Sequence, residues 1–205
     1  LNILNVSEFS DKQANVALGY YLQELLNDRK AASNAKSAKS KSKKNYMFNS
    51  PIFVIIEEAH VFIPKGEDAR AKYWATKIAR EGRKFGLGLC VVSQRPRNIE
   101  PSILSQMGSL AVMKMVQEDD QHQIASASES ISRDLIAQLT SLNVGDAVLV
   151  GQWVNLPAII HIDEMKGKII GSDQNAVDQW TIAKKFENEN KAQAQGTVQK
   201  DLLLD

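Results

Sequence analysis

The sequence is poor in cysteine, in long apolar runs and in any excess of one charge. Cys90 is the only cysteine among 205 residues, which excludes an internal disulfide and argues against a cysteine-ligated zinc site. The 25 basic and 24 acidic residues leave a net charge of +1, so the overall charge does not predict nucleic-acid binding. No apolar stretch approaches the roughly 20 residues of a membrane-spanning helix, and no signal-peptide pattern is present. These absences predict a cytoplasmic protein with no membrane partner.

The composition is that of a globular protein in which strand and helix patterns alternate. Hydrophobic residues make up 43% and charged residues 24% of the chain, which excludes wholesale disorder and a long coiled coil. The alternation predicts an α/β fold with a mainly parallel sheet flanked by helices. The continuous apolar run at 52–56 predicts a strand covered on both faces. The predicted strands are 1–6, 52–56, 89–92, 110–115, 144–150 and 158–162, and the predicted helices are 11–29, 67–85, 99–106, 118–127, 132–139 and 176–186.

Two polar segments interrupt or follow this pattern. Residues 30–45 contain six lysines and no acidic residue, which predicts a flexible surface insertion. The alternative is a basic arm that contacts nucleic-acid phosphates. Residues 171–205 form a predicted polar C-terminal extension, so we place the main domain at residues 1–170. Because the chain starts at Leu1 within a predicted strand, we interpret that domain as the C-terminal portion of a longer one.

Two adjacent glutamates follow the apolar run at 52–56. Glu57 and Glu58 are therefore expected at the carboxyl edge of a central strand, where ligands bind in open α/β sheets. Nucleotide hydrolysis needs one carboxylate near Mg²⁺ and another that positions the attacking water. Glu57 suits the metal and Glu58 suits the water, although a solvated acidic loop would have the same pattern. His60 either fixes the structure of this loop or shuttles protons.

A second set of polar residues surrounds the predicted strand at 89–92. Gln94 follows this strand, and an amide there can sense a γ-phosphate or orient water without adding charge. Arg80 and Arg83 precede the strand and can neutralise transition-state charge, either within one chain or across a subunit boundary. The alternatives are a strand-end hydrogen bond for Gln94 and a solvated helix face for the arginines.

Five segments in order resemble the HerA group of archaeal DNA-translocating ATPases, which is related to FtsK-like motors. They are IIEEAH at 55–60, IAREGRKFGLGLCVVSQRP at 78–96, ILSQMGS at 103–109, LNVGDAVLVG at 142–151 and IIGSD at 169–173. The resemblance implies the C-terminal portion of a RecA-like P-loop NTPase core that uses ATP and Mg²⁺. It also implies a homo-hexameric ring around double-stranded DNA and a NurA-type nuclease partner in the resection of double-strand breaks.

The resemblance assigns a role to each candidate residue. It implies that Glu57 is the Walker B acid that holds Mg²⁺, although the family commonly has aspartate there. Glu58 falls on the catalytic glutamate and Gln94 on the sensor glutamine. Arg83, or Arg80 one helical turn away, falls on the arginine finger that acts on a neighbouring subunit's nucleotide. The segment implied to lie near the nucleotide consists of Gly171, Ser172 and Asp173.

The chain departs from this family in one motif. It contains no GxxxxGK[ST] sequence and therefore no phosphate-cradling loop with its lysine. We expect this chain alone neither to bind ATP tightly nor to hydrolyse it.

Two other hypotheses for the function remain. One is a related conjugation or secretion motor that moves protein, and the other is a non-catalytic interaction module that has kept a RecA-like shell.

Overall fold

The computed structural model describes residues 1–37, 46–128, 130–164, 179–182 and 184–186. The chain divides into two compact units, Leu1–Asp163 and Glu164–Asp205. In the second unit, residues 179–182 and 184–186 are helical, in agreement with the helix predicted at 176–186. No helix among the described residues is long and apolar enough to cross a membrane.

The N-terminal helix α1 spans Asp11–Ser37 and is longer than the predicted helix at 11–29. It includes residues 30–37 of the lysine- and serine-rich segment, which was predicted to be a flexible insertion. Alanine is the strongest helix former, and Ala32 within this part is only 1% exposed, which ties it to the core. Residues 38–45 lie outside the described part of the chain.

The strand predicted at residues 1–6 is wrong. These residues have no regular structure, and the side chains of Leu1 and Ile3 are exposed. No described strand pairs with them. An apolar run becomes a strand only when a neighbouring strand takes up its backbone hydrogen bonds, and here that neighbour is lacking.

The other elements agree with the predicted order, with shifts at their ends. The predicted helix at 67–85 is shorter, because its last residues form a 3₁₀ turn at Gly82–Phe85. The elements after α1 are β1 (Ile52–Ile56), α2 (Ala59–Phe62), α3 (Arg70–Glu81), β2 (Leu87–Val91), a 3₁₀ turn (Pro96–Asn98), α4 (Pro101–Leu104), β3 (Ser109–Val112), α5 (Glu118–Ala127), α6 (Arg133–Gln138), β4 (Asp146–Gly151) and β5 (Ala158–His161).

The strands form two sheets of different kinds. Strands β1 and β2 pair in parallel, with Ile52 opposite Leu87 and Ile56 opposite Val91. Strands β3, β4 and β5 form an antiparallel sheet in that order. The predicted parallel arrangement therefore holds for β1 and β2 only. Strands β4 and β5 are joined by the short loop 152–157, whereas a parallel pair needs a crossover of a dozen or more residues.

One face of the β1–β2 pair is covered by helices. The core there is formed by buried side chains from α1, α3 and the segments around them: Leu22, Leu26, Ile56, Ala59, Ile63, Ala75, Ile78, Leu87, Ile99, Ile103 and Leu104. Helices α1 and α3 approach closely at Gly19, where a Cβ atom would lie 2.6 Å from Cγ of Arg70. The other face of β1 is open, with Phe53 66% and Ile55 59% exposed. The prediction that β1 is covered on both faces is therefore wrong for this chain.

A second core lies between the antiparallel sheet and helices α5 and α6. Its buried side chains are Val112, Ile124, Ile131, Leu139, Leu142, Val148 and Val150. Buried Asp120, in the first turn of α5, accepts a 3.1 Å hydrogen bond from the backbone N–H of Arg97. The Arg97 guanidinium also lies 3.3 Å from Asp119. These contacts join α5 to the segment that follows β2.

Arg29 on α1 is buried and binds backbone carbonyls in the two segments that lead into β1 and β2. Its guanidinium donates to the carbonyl oxygen of Phe85 at 2.9 and 2.7 Å, and to that of Phe48 at 2.9 Å. Gly86 follows Phe85 with φ of 69°, in the left-handed region that favours glycine. Arg29 therefore fixes the points where the chain enters both parallel strands.

Replacing Arg29 by methionine should destabilise the fold strongly. The change leaves the carbonyls of Phe85 and Phe48 without their buried donor, which we expect to lower the free energy of unfolding by about 2–4 kcal/mol. Urea denaturation measures this difference. The matched control is exposed Arg133→Met, expected within about 0.5 kcal/mol of wild type. Equal stability of the two variants would contradict the role of Arg29.

The ion pair between Asp146 and His161 should make stability depend on pH in acid. The His161 ring bonds the carboxylate at 2.8 Å, and this contact holds the pKa of Asp146 below its usual value. A lowered pKa contributes stability above the unfolded value of about 3.9, and this is lost as pH falls through the folded value. Between roughly pH 5 and 2, the thermal midpoint of wild type should therefore fall more steeply than that of Asp146→Asn. Equal pH dependence of the two thermal midpoints would show that the Asp146–His161 pair contributes nothing to stability.

Candidate functional site

The parallel register of β1 and β2 brings two polar loops together at their carboxyl ends. The ladder continues past the strands: Val92 N–H donates to the carbonyl of Ile56 at 2.9 Å, and Ala59 N–H donates to the carbonyl of Val92 at 2.9 Å. The segments after the strands are therefore held side by side. Glu58 follows β1 and Gln94 follows β2, and their side chains come into contact.

Glu58 has an unusual backbone and a defined side-chain environment. It is the one non-glycine residue with positive φ in the described part of the chain, at φ 48° and ψ 43°. Such a conformation costs on the order of 1–3 kcal/mol and is concentrated at functional sites. One carboxylate oxygen lies 3.4 Å from the amide nitrogen of Gln94. The other lies 3.3 Å from Nδ1 of His60, and 52% of the side chain remains exposed.

His60 connects the acidic loop to the loop after β2. Its side chain is 17% exposed, and Nδ1 lies 3.0 Å from Oγ of Ser93. The same Oγ accepts a 3.0 Å hydrogen bond from the backbone N–H of Arg95. The contact favours the first sequence interpretation, in which His60 fixes the loop. The sequence did not single out Ser93, although it lies next to Gln94 at the end of a predicted strand.

Glu57 has surroundings different from those of Glu58. It is exposed and follows the open face of β1, which carries Ile55 two residues earlier. Cys90 lies opposite Ile55 in the register. Burial raises the pKa of the Cys90 thiol, and the negative charge of Glu57 raises it further. The two adjacent glutamates therefore occupy separate environments, which is compatible with separate roles.

Arg80 and Arg83 lie at the opposite edge of the sheet. Arg80 is in the last turn of α3, and Arg83 is in the 3₁₀ turn that leads into β2. A five-residue strand spans about 16 Å, and it separates both arginines from the acidic pair. Their guanidinium groups are exposed and form no hydrogen bond or ion pair with another described residue. This separation favours the alternative in which an arginine acts across a subunit boundary, and that role stays a prediction.

Three further residues were predicted to lie near the nucleotide. Gly171, Ser172 and Asp173 lie outside the described residues, so their placement near a nucleotide remains a prediction. Within the described ranges, no group of three or more histidine, cysteine, aspartate or glutamate side chains is arranged to hold a metal ion. Mg²⁺ sites on nucleotides commonly use one or two carboxylates and complete the coordination shell with phosphate oxygens and water.

Alkylation of the single thiol can test the surroundings of Glu57. Because the raised pKa keeps less thiolate at neutral pH, Cys90 should react with iodoacetamide more slowly than a free cysteine. Glu57→Gln removes the charge that contributes to the raised pKa, so the rate at neutral pH should increase. Glu58→Gln is the matched control and should leave the rate unchanged. If Cys90 were alkylated at the same rate in both variants, the proximity of Glu57 to Cys90 would be contradicted.

Much of this sequence is shared with proteins of known name. No family model matches the chain. It is 40% identical over 191 residues to the DNA double-strand break repair helicase HerA of Saccharolobus solfataricus, covering 93% of this chain and 36% of that protein. It is 35% identical over 210 residues to the protein of the same name from Pyrococcus furiosus, covering 90% of this chain and 38% of that protein. The chain thus spans a little over a third of these relatives.

A solved structure supports the fold. The DNA-packaging ATPase of Sulfolobus turreted icosahedral virus matches with a TM-score of 0.52 at 14% identity, over 80% of this chain and 74% of that chain. At this identity the likeness concerns the fold alone, and it supports the predicted RecA-like α/β core. The sequence identities of 39–40% over about nine tenths of the chain lead to one assignment: the chain belongs to the HerA family.

Proposed function

We propose that the complete polypeptide containing this chain is an ATP-dependent DNA helicase or translocase that acts in double-strand break repair. The observation that carries the proposal is the contact of Glu58 with Gln94 and His60 at the carboxyl edge of two parallel strands. The names of the relatives, DNA double-strand break repair helicases, supply the substrate. In this proposal the chain contributes one part of an ATP-hydrolysing site.

The residues at this edge fit ATP with Mg²⁺. Magnesium in nucleotide sites takes one or two carboxylates and completes its shell with phosphate oxygens and water. Glu57 is exposed at the strand end and is free to act as that carboxylate. The bound ion would supply charge neutralisation at the phosphates. The phosphate-cradling loop is not among the residues of this chain, so we assign the phosphate contacts to the rest of the polypeptide.

Glu58 and Gln94 provide the groups that act on water. A half-exposed carboxylate can accept a hydrogen bond from a water molecule and hold it for attack on a phosphorus atom. The Gln94 amide beside it can donate to a phosphate or to the same water without adding charge. Because both side chains are fixed to neighbouring strand ends, the protein orders them before the substrate arrives.

The arginines support a site shared between subunits. Arg83 and Arg80 lie at the edge of the sheet opposite to Glu58, which supports a role at another copy's nucleotide. A contact that places the arginine edge of one copy on the acidic edge of the next is head-to-tail, and such contacts form a ring when the rotation between copies closes. We propose a homo-hexamer with Arg83 as the finger, double-stranded DNA in the ring and a NurA-type nuclease as partner.

Steady-state ATP hydrolysis by the complete polypeptide, with and without double-stranded DNA, tests this function. ATP hydrolysis by the wild-type protein should increase when double-stranded DNA is added. Glu58→Gln and Arg83→Ala should each lower kcat by about 10²–10³-fold, because one removes the group that positions water and the other a transition-state cation. Exposed Arg133→Ala is the matched control and should retain wild-type kcat. An absence of DNA stimulation would instead favour a protein-moving motor or a non-catalytic module.

Mixing the two inactive variants tests whether the site is shared. If each site takes Glu58 from one copy and Arg83 from the next, a random equal mixture contains intact sites at roughly one in four positions. Partial activity should therefore return after the variants are mixed and reassembled. If both residues served the same chain's nucleotide, no mixed site would be intact and activity would stay at the level of the single variants.

A further inference from the structure

We propose that His60 and Ser93 form a bridge that holds the carboxylate of Glu58 in its working position. This inference rests on the proposed ATP hydrolysis and assigns two positioning residues to the same site. His60 Nδ1 lies 3.3 Å from Oε2 of Glu58 and 3.0 Å from Oγ of Ser93. A single ring atom therefore contacts the acidic loop after β1 and the loop after β2.

The neighbouring groups determine which ring nitrogen carries the proton. An ionised carboxylate carries no proton, so a hydrogen on Nδ1 makes the 3.3 Å approach to Oε2 of Glu58 favourable. With that proton in place, Nδ1 donates a hydrogen bond to Oγ of Ser93 at 3.0 Å and presents its positive edge to the carboxylate. The other tautomer would place a nitrogen lone pair against the carboxylate. The Nδ1–H form therefore satisfies every contact at this atom.

The His60 end of the bridge is anchored in the core, and the Ser93 end is held by its own loop. Ala59, next to His60, and Ile63, one helical turn away, are 0% exposed. Oγ of Ser93 accepts the N–H of Arg95, which fixes the serine oxygen. The His60 ring itself is mostly buried, with 17% of its side chain exposed. These contacts restrict the orientation of the His60 ring.

Glu58 needs such a support because its own conformation is unfavourable. Its backbone is in the left-handed region, and half of its side chain is exposed, so an unsupported carboxylate would sample several rotamers. Gln94 contacts Oε1 only at 3.4 Å. His60 therefore provides the shorter of the two side-chain contacts of Glu58. Displacement of a reacting group by about 1 Å can cost 10²-fold in rate, so loss of the bridge should affect turnover.

The test compares His60→Ala with His60→Asn in the complete polypeptide. The alanine variant should lower kcat for ATP by about 10–100-fold, with KM for ATP within about twofold of wild type, because positioning is lost while nucleotide binding is kept. Asparagine places an amide donor near the position of Nδ1 and should recover most of the rate. His122→Ala, at an exposed histidine of α5, is the matched control and should leave kcat unchanged. The thermal midpoint of each variant shows whether it is folded.

A double-mutant cycle with Ser93→Ala completes the test. If the two residues form one bridge, Ser93→Ala alone lowers kcat, and adding it to His60→Ala lowers kcat no further. Multiplicative effects would overturn the bridge, as would a folded His60→Ala variant with wild-type kcat. If Glu58→Gln abolishes hydrolysis while His60→Ala does not, only the bridge fails. A wild-type protein without ATP hydrolysis would overturn the bridge and the proposed function together.

Discussion

The parallel pairing of β1 and β2 is the constraint on which the candidate site depends. The register continues beyond the strands through the hydrogen bonds of Val92 with Ile56 and Ala59. A slip of one residue would exchange the faces of a strand, which would bury Phe53 and Ile55 and expose Val54. It would also move Gln94 away from Glu58. The buried face of β1 and the placement of the polar loops are therefore set by the same pairing.

The sequence predicted the elements that have short, clear patterns. The bounds of β1 and α5 agree with those predicted, because a β-branched run and a run of helical spacing each end at polar residues. The meeting of Glu58 with Gln94 also followed from the sequence, since both come after parallel strands. The C-terminal end of α1 was harder to predict, because the residues around Lys30 have the composition of a loop and are held in a helix by tertiary contacts.

Other features depend on three-dimensional arrangement that no local pattern carries. The His60 contact with Ser93 joins residues 33 positions apart, and it needs the αL turn at Glu58 to aim the ring. The antiparallel pairing of β4 with β5 follows from the length of their connection rather than from composition. The distance between Arg83 and the acidic pair depends on the return of α3 to the starting edge of the sheet, which no local pattern predicts.

The buried guanidinium of Arg29 has a consequence for movement. It binds the carbonyl of Phe85, two residues beyond Arg83, and Lys30 beside it pairs with Glu81 at 2.6 Å. Because a guanidinium stays charged throughout the physiological pH range, the tie at Arg29 does not loosen with acidity. We therefore expect the arginine turn and the 27-residue helix α1, about 40 Å long, to move together. A small rotation at the turn becomes a displacement of several ångströms at the far end of α1.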